Sequence, residues 1–314
     1  MHAMKPRHTT LLKIITIGFF SAFCLISAAE TGVNNNAAST TQVTEAATRG
    51  LLFEIRSGDK SAHLFGSTHI AKPDFYPMSP KVEVAYRAAD TVMVEADITD
   101  AQAVQAMLQK LMYAAPDKLQ NHLTATTWTK LQSVFGPAAE QLQNLKPFLV
   151  SSAITVQVAA QLGYSPEQGI DLHFIKRSKE DKKTLLELES LTFHADIMGN
   201  LSDEEGDSLI ASLVDSIKKG EIASELNNLV DAWKAADADA IAKLFIESGN
   251  KDAGSKRITK LLLDDRNERM VNKINRVMAS GNKLFVVVGA GHLAGEKSVI
   301  EILKKQGIEA KQIR

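Results

Sequence analysis

Two stretches of the sequence repeat a pattern that could bind a metal ion. "LFGSTHI" places Gly66 three residues before His69, and "VVVGAGHLAG" places Gly289 three residues before His292. Each histidine follows an apolar run typical of a buried strand, so we expect both imidazoles at the carboxyl ends of strands, where open α/β sheets bind ligands. Glycine at such a turn allows close approach of another segment. A single Gly-x-x-His is most often a capping or surface feature, but the pair predicts a shared site.

Glu95 is the candidate third ligand, because it ends the apolar strand "TVMVEA". A buried carboxylate at this place needs a partner, and a metal or a histidine would be one. Two histidines and one carboxylate are a common ligand set for zinc, manganese or cobalt. No HExxH motif or cysteine cluster competes for this role. The alternative is a strand-end residue turned to solvent.

Hydroxyl nucleophiles are a weaker prediction. Ser67 and Thr68 lie inside the first motif, but no Gly-x-Ser-x-Gly elbow is present, so we expect their hydroxyls to cap a turn or to hydrogen-bond the site. His63 lies within a strand and is interpreted as structural. No role is predicted for the histidines in helical context, which are His122, His173 and His194.

The pattern of elements predicts a mixed α/β (α+β) fold. Strands are expected in "LLFEIRS", "AHLFG", "TVMVEA", "KTLLELE", "KLFVVVG" and "EAKQI". Helices are expected after Ser79-Pro80, through most of residues 100–280, and over residues 296–306. We therefore expect one domain, in which N- and C-terminal strands share a central sheet and a large, mostly helical middle section packs around it.

Residues 1–29 are predicted to be a signal peptide. Three basic residues precede an uncharged run that ends in Ser27-Ala28-Ala29, a small-x-small cleavage pattern. The run of about 16 residues is shorter than the roughly 20 that span a bilayer. We expect an exported protein, periplasmic or secreted, that is cleaved after Ala29. The alternative is that the segment is kept as an anchor. Such an anchor is the only membrane contact that we predict. Residues 30–48 are predicted to be a flexible polar linker.

Charge and cysteine content exclude other classes. The 314 residues hold 36 Lys plus Arg and 37 Asp plus Glu, for a net charge of −1. Removing residues 1–29 takes away three of the 36 basic residues and no acidic ones, so the charge becomes −4. No basic stripe is present, so no nucleic-acid partner is predicted. Cys24 is the only cysteine and leaves with the signal, which excludes a disulfide or a thiol nucleophile.

Four blocks of the sequence resemble a known family. "GSTHIAKPDFYPMSPKVEVAYRAADTVMVEADI" resembles the opening block of the TraB/GumN family, to which the Tiki metalloproteases are related. "GIDLHFIKRSKEDKKTLLELES", "RNERMVNKI" and "FVVVGAGHLAGEKSVIEILKKQGI" resemble its later blocks, in family order. The resemblance covers about residues 50 to 314 and implies a TraB/GumN-like metallohydrolase domain over residues 49–314. By position, it implies that the site residues are His69, His292, Glu95, Glu189, Arg266 and Asn267. One departure is His194, where the family pattern has glutamine.

The resemblance and the residues together predict a metal-dependent hydrolase, most simply a peptidase. Neutral His69 and His292 would bind Mn²⁺ or Co²⁺, with Zn²⁺ possible, and Glu95 would be a third ligand or the general base. Glu189 is the other candidate acid or base. Arg266 would hold a substrate carboxylate or an oxyanion, or else form a salt bridge. The expected partner is a peptide or protein substrate, and the oligomeric state is left open. The alternatives are a non-enzymatic peptide-binding protein, an ester hydrolase, or a metal- or haem-binding protein.

Overall fold

A computed structural model describes residues 50–250 and 252–314. The predicted signal peptide and linker, residues 1–48, lie outside these described residues. Within the two described ranges, no helix combines the length and the apolar character that crossing a bilayer requires.

Six strands of the described residues form one sheet. They are β1 (Leu52–Ser57), β2 (Lys60–Ser67), β3 (Thr91–Val94), β4 (Thr184–Glu187), β5 (Leu284–Gly289) and β6 (Glu309–Gln312). Their order across the sheet is β4-β3-β5-β2-β1-β6. β1 pairs in antiparallel fashion with β2 and β6, whereas β2, β5, β3 and β4 pair in parallel. The carboxyl ends of these four parallel strands therefore meet at one edge of the sheet.

The central strand β5 explains how this edge is organised. Its residues Leu284 to Val288 are all buried, as expected for a parallel strand covered on both faces. Opposite it, β2 aligns Ser67 with Gly289, and β3 aligns Val94 with Val287. The residues that follow β2 and β3 are therefore brought to either side of the turn that follows β5.

Helices cover the sheet and fill the middle of the chain. They are α1 (Pro80–Ala88), α2 (Ala101–Lys110), α3 (Ala125–Phe135), α4 (Pro147–Gln161), α5 (Ile170–Glu180), α6 (Leu191–Gly199), α7 (Asp203–Lys219), α8 (Glu221–Lys234), α9 (Ala238–Gly249), α10 (Ala253–Thr259), α11 (Asp265–Ala279) and α12 (Val299–Lys305). One π-helical turn, Lys260–Asp264, joins α10 to α11. The mixed α/β fold class predicted from the sequence is confirmed.

Part of the helical middle section packs on itself and not on the sheet. Trp128 and Leu131 of α3, Ile154 of α4 and Leu213 of α7 belong to a second apolar cluster beside the main core. The main core surrounds the sheet and includes its buried strands. Since a sheet of short strands offers limited apolar area, a long helical insertion needs a core of its own.

Local sequence signals predicted most element starts correctly. The side chain of Ser79 accepts from the N–H of Val82, and Pro80 is the first residue of α1, as expected. The last helix begins at Val299, three residues later than predicted, because Ser298 is its N-cap and accepts from the N–H of Glu301. The extended "KTLLELE" segment became β4, an edge strand of the sheet beside β3.

Candidate functional site

Three of the predicted site residues converge on the turn that follows β5. A methyl group built on Gly289 would lie 3.2 Å from Oε1 of Glu95, 3.4 Å from Nε2 of His69 and 3.7 Å from Cδ2 of His292. The glycine therefore leaves open the one point that all three side chains face. Its place in β5, between β2 and β3, is what lets segments distant in sequence reach that point.

Glu95 is turned into this site and not to solvent. Its residue exposure is 8%, and its Oε1 accepts the backbone N–H of Gly289 at 2.7 Å. Its other oxygen, Oε2, accepts from the guanidinium of Arg266 and lies 3.7 Å from Nε2 of His292. The alternative of a solvent-facing strand end is therefore wrong. The carboxylate has a backbone donor on one side and positive charge on the other.

His292 is held by an amide on the far side of its ring. Its Nδ1 lies 2.6 Å from Oδ1 of Asn267, and Nδ2 of Asn267 donates to the carbonyl of Lys297 at 2.8 Å. The second hydrogen bond fixes Oδ1 toward the ring, so Nδ1 must be the donor. Nε2 of His292 therefore keeps its lone pair on the side of Glu95, the geometry that a metal-binding histidine requires.

His69 is held by a carboxylate in the same way. Its Nδ1 lies 3.0 Å from Oδ2 of Asp171, a residue in the first turn of α5. Burial lowers the pKa of His69, but the charge and hydrogen bond of Asp171 outweigh it, so the pKa lies above its usual value. Nε2 of His69 faces the point beside Gly289.

Arg266 is the buried positive charge of the site. It is 1% exposed, and its Nη1 donates to the carbonyl of Leu262 one turn earlier in the chain at 2.9 Å. Its Nε and Nη2 donate to Oε2 of Glu189 at 2.8 and 2.6 Å, and Nη2 also donates to Glu95. Arg266 thus forms ion pairs, as one interpretation of the sequence expected, but with carboxylates that follow β3 and β4.

Glu189 reaches the site because parallel pairing continues past the strands. The N–H groups of Leu188 and Glu189 donate to the carbonyls of Val94 and Glu95 at 2.7 and 2.8 Å. The two glutamates are therefore adjacent across β3 and β4. Oε1 of Glu189 is buried and makes no hydrogen bond to the part of the chain that the structure describes.

His194 belongs to the site, although no role was predicted for it. It lies in α6 at 2% exposure, and its Nε2 is 2.8 Å from Oε2 of Glu189 and 3.1 Å from Nη2 of Arg266. The family resemblance implied a glutamine at this position. Histidine and glutamine can both hydrogen-bond a glutamate.

Glu95, Glu189 and His194 offer ligand atoms that all lie within 4.8 Å of one another, so this buried group could hold a metal ion. The guanidinium of Arg266 contacts all three side chains. In the described conformation, the positive charge that balances the two carboxylates is therefore the guanidinium of Arg266.

The ionisation states follow from this arrangement. Burial opposes ionisation of Glu95, but the charge of Arg266 outweighs it and holds the pKa of Glu95 far below its usual value. Burial also opposes ionisation of Glu189, while its bond to His194 and the charge of Arg266 lower its pKa overall. Burial, assisted by Arg266, lowers the pKa of His292 to about 4. At neutral pH both carboxylates are charged and His292 is neutral.

The space at the site is small. A cavity of about 20 Å³ lies among Ser67, His69, Glu95, Asp171 and His194. This volume is enough for one water-sized group. The apolar side of the cavity is formed by Val94, Ala96, Ile98, Leu191 and Val287. A lining that combines apolar side chains with a few polar groups is typical of ligand sites.

Two sequence expectations for the neighbouring residues need correction. The buried hydroxyls of Ser67 and Thr68 make no hydrogen bond within the described residues, so they neither cap a turn nor bond the site there. Asp171 was missed as a partner of His69. The signal for it was the Gly-x-Asp start of the second family block, in which Gly169 precedes Asp171 by two residues.

Comparison with known proteins identifies the family to which this chain belongs. A sequence model of the TraB/PrgY/gumN family matches residues 51–312. The chain belongs to the TraB/PrgY/gumN family. The match covers every residue discussed above, from His69 to His292, so the resemblance read from the four blocks is confirmed.

Relatives of this family member include proteins of three bacteria. The uncharacterized proteins YbaP of Shigella flexneri and of Escherichia coli (strain K12) are each 24% identical to it over 255 residues, which cover 79% of this chain and 89% of YbaP. An uncharacterized protein of Treponema pallidum (strain Nichols) is 20% identical over 269 residues, 82% of this chain and 80% of that protein. No solved structure matches this chain.

Proposed function

We propose that this TraB/PrgY/gumN family protein is a metal-dependent hydrolase that cleaves peptide bonds outside the cytoplasm. The observation that carries the proposal is the pair of oriented histidines. Nδ1 of His69 and of His292 is occupied by Asp171 and Asn267 respectively, so both Nε2 atoms are directed toward the region of Gly289 and Glu95. Such orientation of two imidazoles by outer partners is the usual support of a metal ligand pair.

The donor types of His69, His292 and Glu95 suit a divalent transition metal, although among the described residues it is Glu95, Glu189 and His194 whose ligand atoms all lie within 4.8 Å of one another. Two imidazole nitrogens and one carboxylate oxygen suit Mn²⁺, Co²⁺ or Zn²⁺, and they leave positions for water and substrate. His292 is neutral at physiological pH, so its lone pair does not have to be released by loss of a proton. When bound, such an ion would lower the pKa of a coordinated water and polarise the scissile carbonyl.

The histidine side of Glu95 suits the metal better than the side of Glu189 and His194. On that second side, Arg266 already neutralises both carboxylates through hydrogen-bonded ion pairs. A cation placed there would have to displace a guanidinium that is itself buried, which costs a large desolvation free energy. We therefore assign His69, His292 and Glu95 to the metal, and Arg266, Glu189 and His194 to the part of the site that meets the substrate.

The protein's own groups then have separate tasks. Glu95 is ionised, so it can serve as the third ligand or accept the proton of the attacking water. The buried charge of Arg266, held by Glu95 and Glu189, favours negative charge that develops on a substrate beside these carboxylates. Glu189 keeps the guanidinium in place and remains the other candidate acid or base. Asn267 holds the tautomer of His292.

Location and substrate complete the proposal. Export rests on the signal-like sequence of residues 1–29, and a peptide or protein substrate is inferred from the family resemblance of the four blocks. A peptide-binding protein without catalysis, an ester hydrolase, or a metal- or haem-binding protein would use the same site, and the experiment below separates them.

The test combines metal analysis with a peptide library. Purified protein should contain or bind about one Mn²⁺, Co²⁺ or Zn²⁺ per chain. The ion should be lost in His69→Ala and His292→Ala but kept in His63→Ala, a histidine of β2 outside the cavity. Mass spectrometry of a peptide library with added Mn²⁺ should show cleavage that the first two variants abolish. Peptide binding that persists in both variants, without metal, would overturn the proposal and favour a binding protein; metal binding with cleavage of esters alone, or haem binding alone, would also overturn it.

A further inference from the structure

Asp171 is a buried carboxylate that the proposed mechanism does not otherwise use. It is 8% exposed and lies in the first turn of α5. It borders the small cavity together with His69 and Glu95. Its position raises the question of whether it serves the fold or the site.

Its position relative to His69 is fixed by backbone contacts. The N–H of Ile170 donates to the carbonyl of Thr68 at 2.9 Å, which joins the start of α5 to the segment that carries His69. A methyl group on Gly169 would lie only 2.5 Å from the carbonyl oxygen of His69, so the two segments are in the closest contact that glycine allows. The N–H of Ala71 also donates to the carbonyl of Ser165 at 3.1 Å, and the N–H of Ser165 donates to the carbonyl of Ala71 at 2.9 Å.

The hydrogen bonding of Asp171 argues against a purely structural role. Its Oδ2 lies 3.0 Å from Nδ1 of His69, whereas Oδ1 is buried and accepts no hydrogen bond from the described residues. Asp171 is the second residue of α5, whose N-cap is Gly169, so it does not cap its helix in the way that Asp100 caps α2. Burying a carboxylate for a single bond to a histidine is costly for the fold. The cost is understandable if the histidine needs the partner.

We propose that Asp171 is the positioning residue of His69: it holds the Nδ1–H tautomer and the ring plane, so that Nε2 presents its lone pair beside Gly289. Asn267 does the same for His292. The two supports differ in charge, since Asp171 is a carboxylate and Asn267 a neutral amide. A carboxylate makes its histidine a stronger electron donor than an amide does. This inference rests on the proposed function, but its tautomer component can be tested without metal.

Three variants separate the possibilities. Asp171→Ala removes both the acceptor and the charge, and Asp171→Asn keeps an acceptor while removing the charge. Asp203→Asn is the matched control, because Oδ1 of Asp203 lies 2.7 Å from Nδ1 of His122, again with the aspartate in the first turn of a helix but away from the site. All three should remain folded, since Asp171 makes no hydrogen bond to the backbone in the described residues.

Two measurements report the effect. Histidine ¹⁵N NMR of the metal-free protein, at alkaline pH where the rings are neutral, should show His69 as the Nδ1–H tautomer in the wild type and in Asp171→Asn. In Asp171→Ala that fixed tautomer should be lost. Calorimetric titration with Mn²⁺, Co²⁺ and Zn²⁺ alone should show affinity reduced about 10- to 100-fold in Asp171→Ala, less in Asp171→Asn, and unchanged in Asp203→Asn.

The outcomes distinguish this inference from the proposed function. An unchanged His69 tautomer in Asp171→Ala would overturn the positioning role. If the wild type binds metal, an equal metal affinity in Asp171→Ala would also overturn it. A wild type that binds no metal but shows the fixed tautomer, lost in Asp171→Ala, would overturn the hydrolase and support the positioning of His69. Thermal unfolding completes the test: a large loss of stability in Asp171→Asn would show that the carboxylate serves the fold, which also overturns the proposal.

Discussion

The backbone N–H of Gly289 donates to Oε1 of Glu95 at 2.7 Å. This bond joins the turn after β5 to the end of β3 at the place where His69 and His292 approach each other. Residue 289 is a glycine for a related reason: a Cβ at this position would enter the space in front of the carboxylate. The backbone of one Gly-x-x-His motif thus orients the glutamate, while its side-chain-free glycine keeps the site open.

Gly289→Ala should weaken metal binding without unfolding the protein. The added methyl group would lie 3.2 Å from Oε1 of Glu95, closer than most contacts of a real Cβ, so this carboxylate must move by a few tenths of an ångström, and it would also lie in contact with Nε2 of His69 at 3.4 Å. The backbone conformation of Gly289 suits any residue, so strain is not the cause. We expect affinity for Mn²⁺ to fall about tenfold or more, since small displacements in a site have large effects. Titration calorimetry and thermal unfolding of the same samples check this; wild-type affinity would contradict the assigned site.

Asn267→Ala should reduce metal affinity about 10- to 100-fold, as loss of an outer partner of a metal ligand usually does. The substitution removes the acceptor at 2.6 Å from Nδ1 of His292, and the ring can then turn or change tautomer. Asn275→Ala is the matched control, because Asn275 lies in the same helix α11 and bonds Gln306 at the surface. Equal metal affinity in the two variants would show that Asn267 does not position His292.

Arg266→Met should destabilise the fold by about 3–5 kcal/mol, because it leaves two buried carboxylates without their counter-charge. Combining it with Glu189→Gln should recover part of the loss, since one of the two carboxylates is then neutral. Arg266→Lys should not substitute well, because an ammonium cannot bridge Glu95, Glu189 and the carbonyl of Leu262 at once. Free energies of unfolding in urea for the double-mutant cycle measure the coupling. Additive losses would mean that the ion pair is energetically unimportant.

His122 should make stability depend on pH away from the site. Burial lowers its pKa, but the carboxylates of Asp117 and Asp203, at 2.9 and 2.7 Å, raise it overall. Because the folded pKa exceeds the unfolded value of about 6.5, the protonated ring stabilises the fold fully below that pH, and the stabilisation is lost as pH rises through the folded pKa. The free energy of unfolding, measured from pH 5.5 to 8.5, should therefore fall less in His122→Gln than in the wild type. Parallel curves for the two proteins would show that the ion pairs do not couple to folding.

Much of this protein was predictable from local patterns. Apolar runs located the strands, Ser79-Pro80 located the start of α1, and the glycines located the turns after β2 and β5. These features depend on residues close in sequence, whose spacing reflects the geometry of a strand or a helix end. The same local reasoning placed Glu95 at the end of an apolar run, and His69 and His292 three residues after the glycine that ends one.

The partners of these residues could not be predicted in this way. Asp171 and His194 come from α5 and α6, and Arg266 comes from α11, each brought in by packing over large sequence separations. A helical periodicity tells which face is buried, but it does not tell which buried charge that face will meet. Arg266 was therefore predicted only as a substrate-binding residue or a salt bridge, and His194 was given no role.

The sequence by itself determined the type of each candidate site residue and its place near the end of a strand, because these depend on short-range alternation and turn chemistry. Only the tertiary structure decided that β5 lies between β3 and β2, and therefore that Glu95, His69 and His292 meet around Gly289. Strand order is set by which apolar faces bury the most surface across the whole chain, a sum that no local window contains. The same global packing supplied the orienting partners, Asp171 and Asn267, whose roles follow from distance and not from spacing in the sequence.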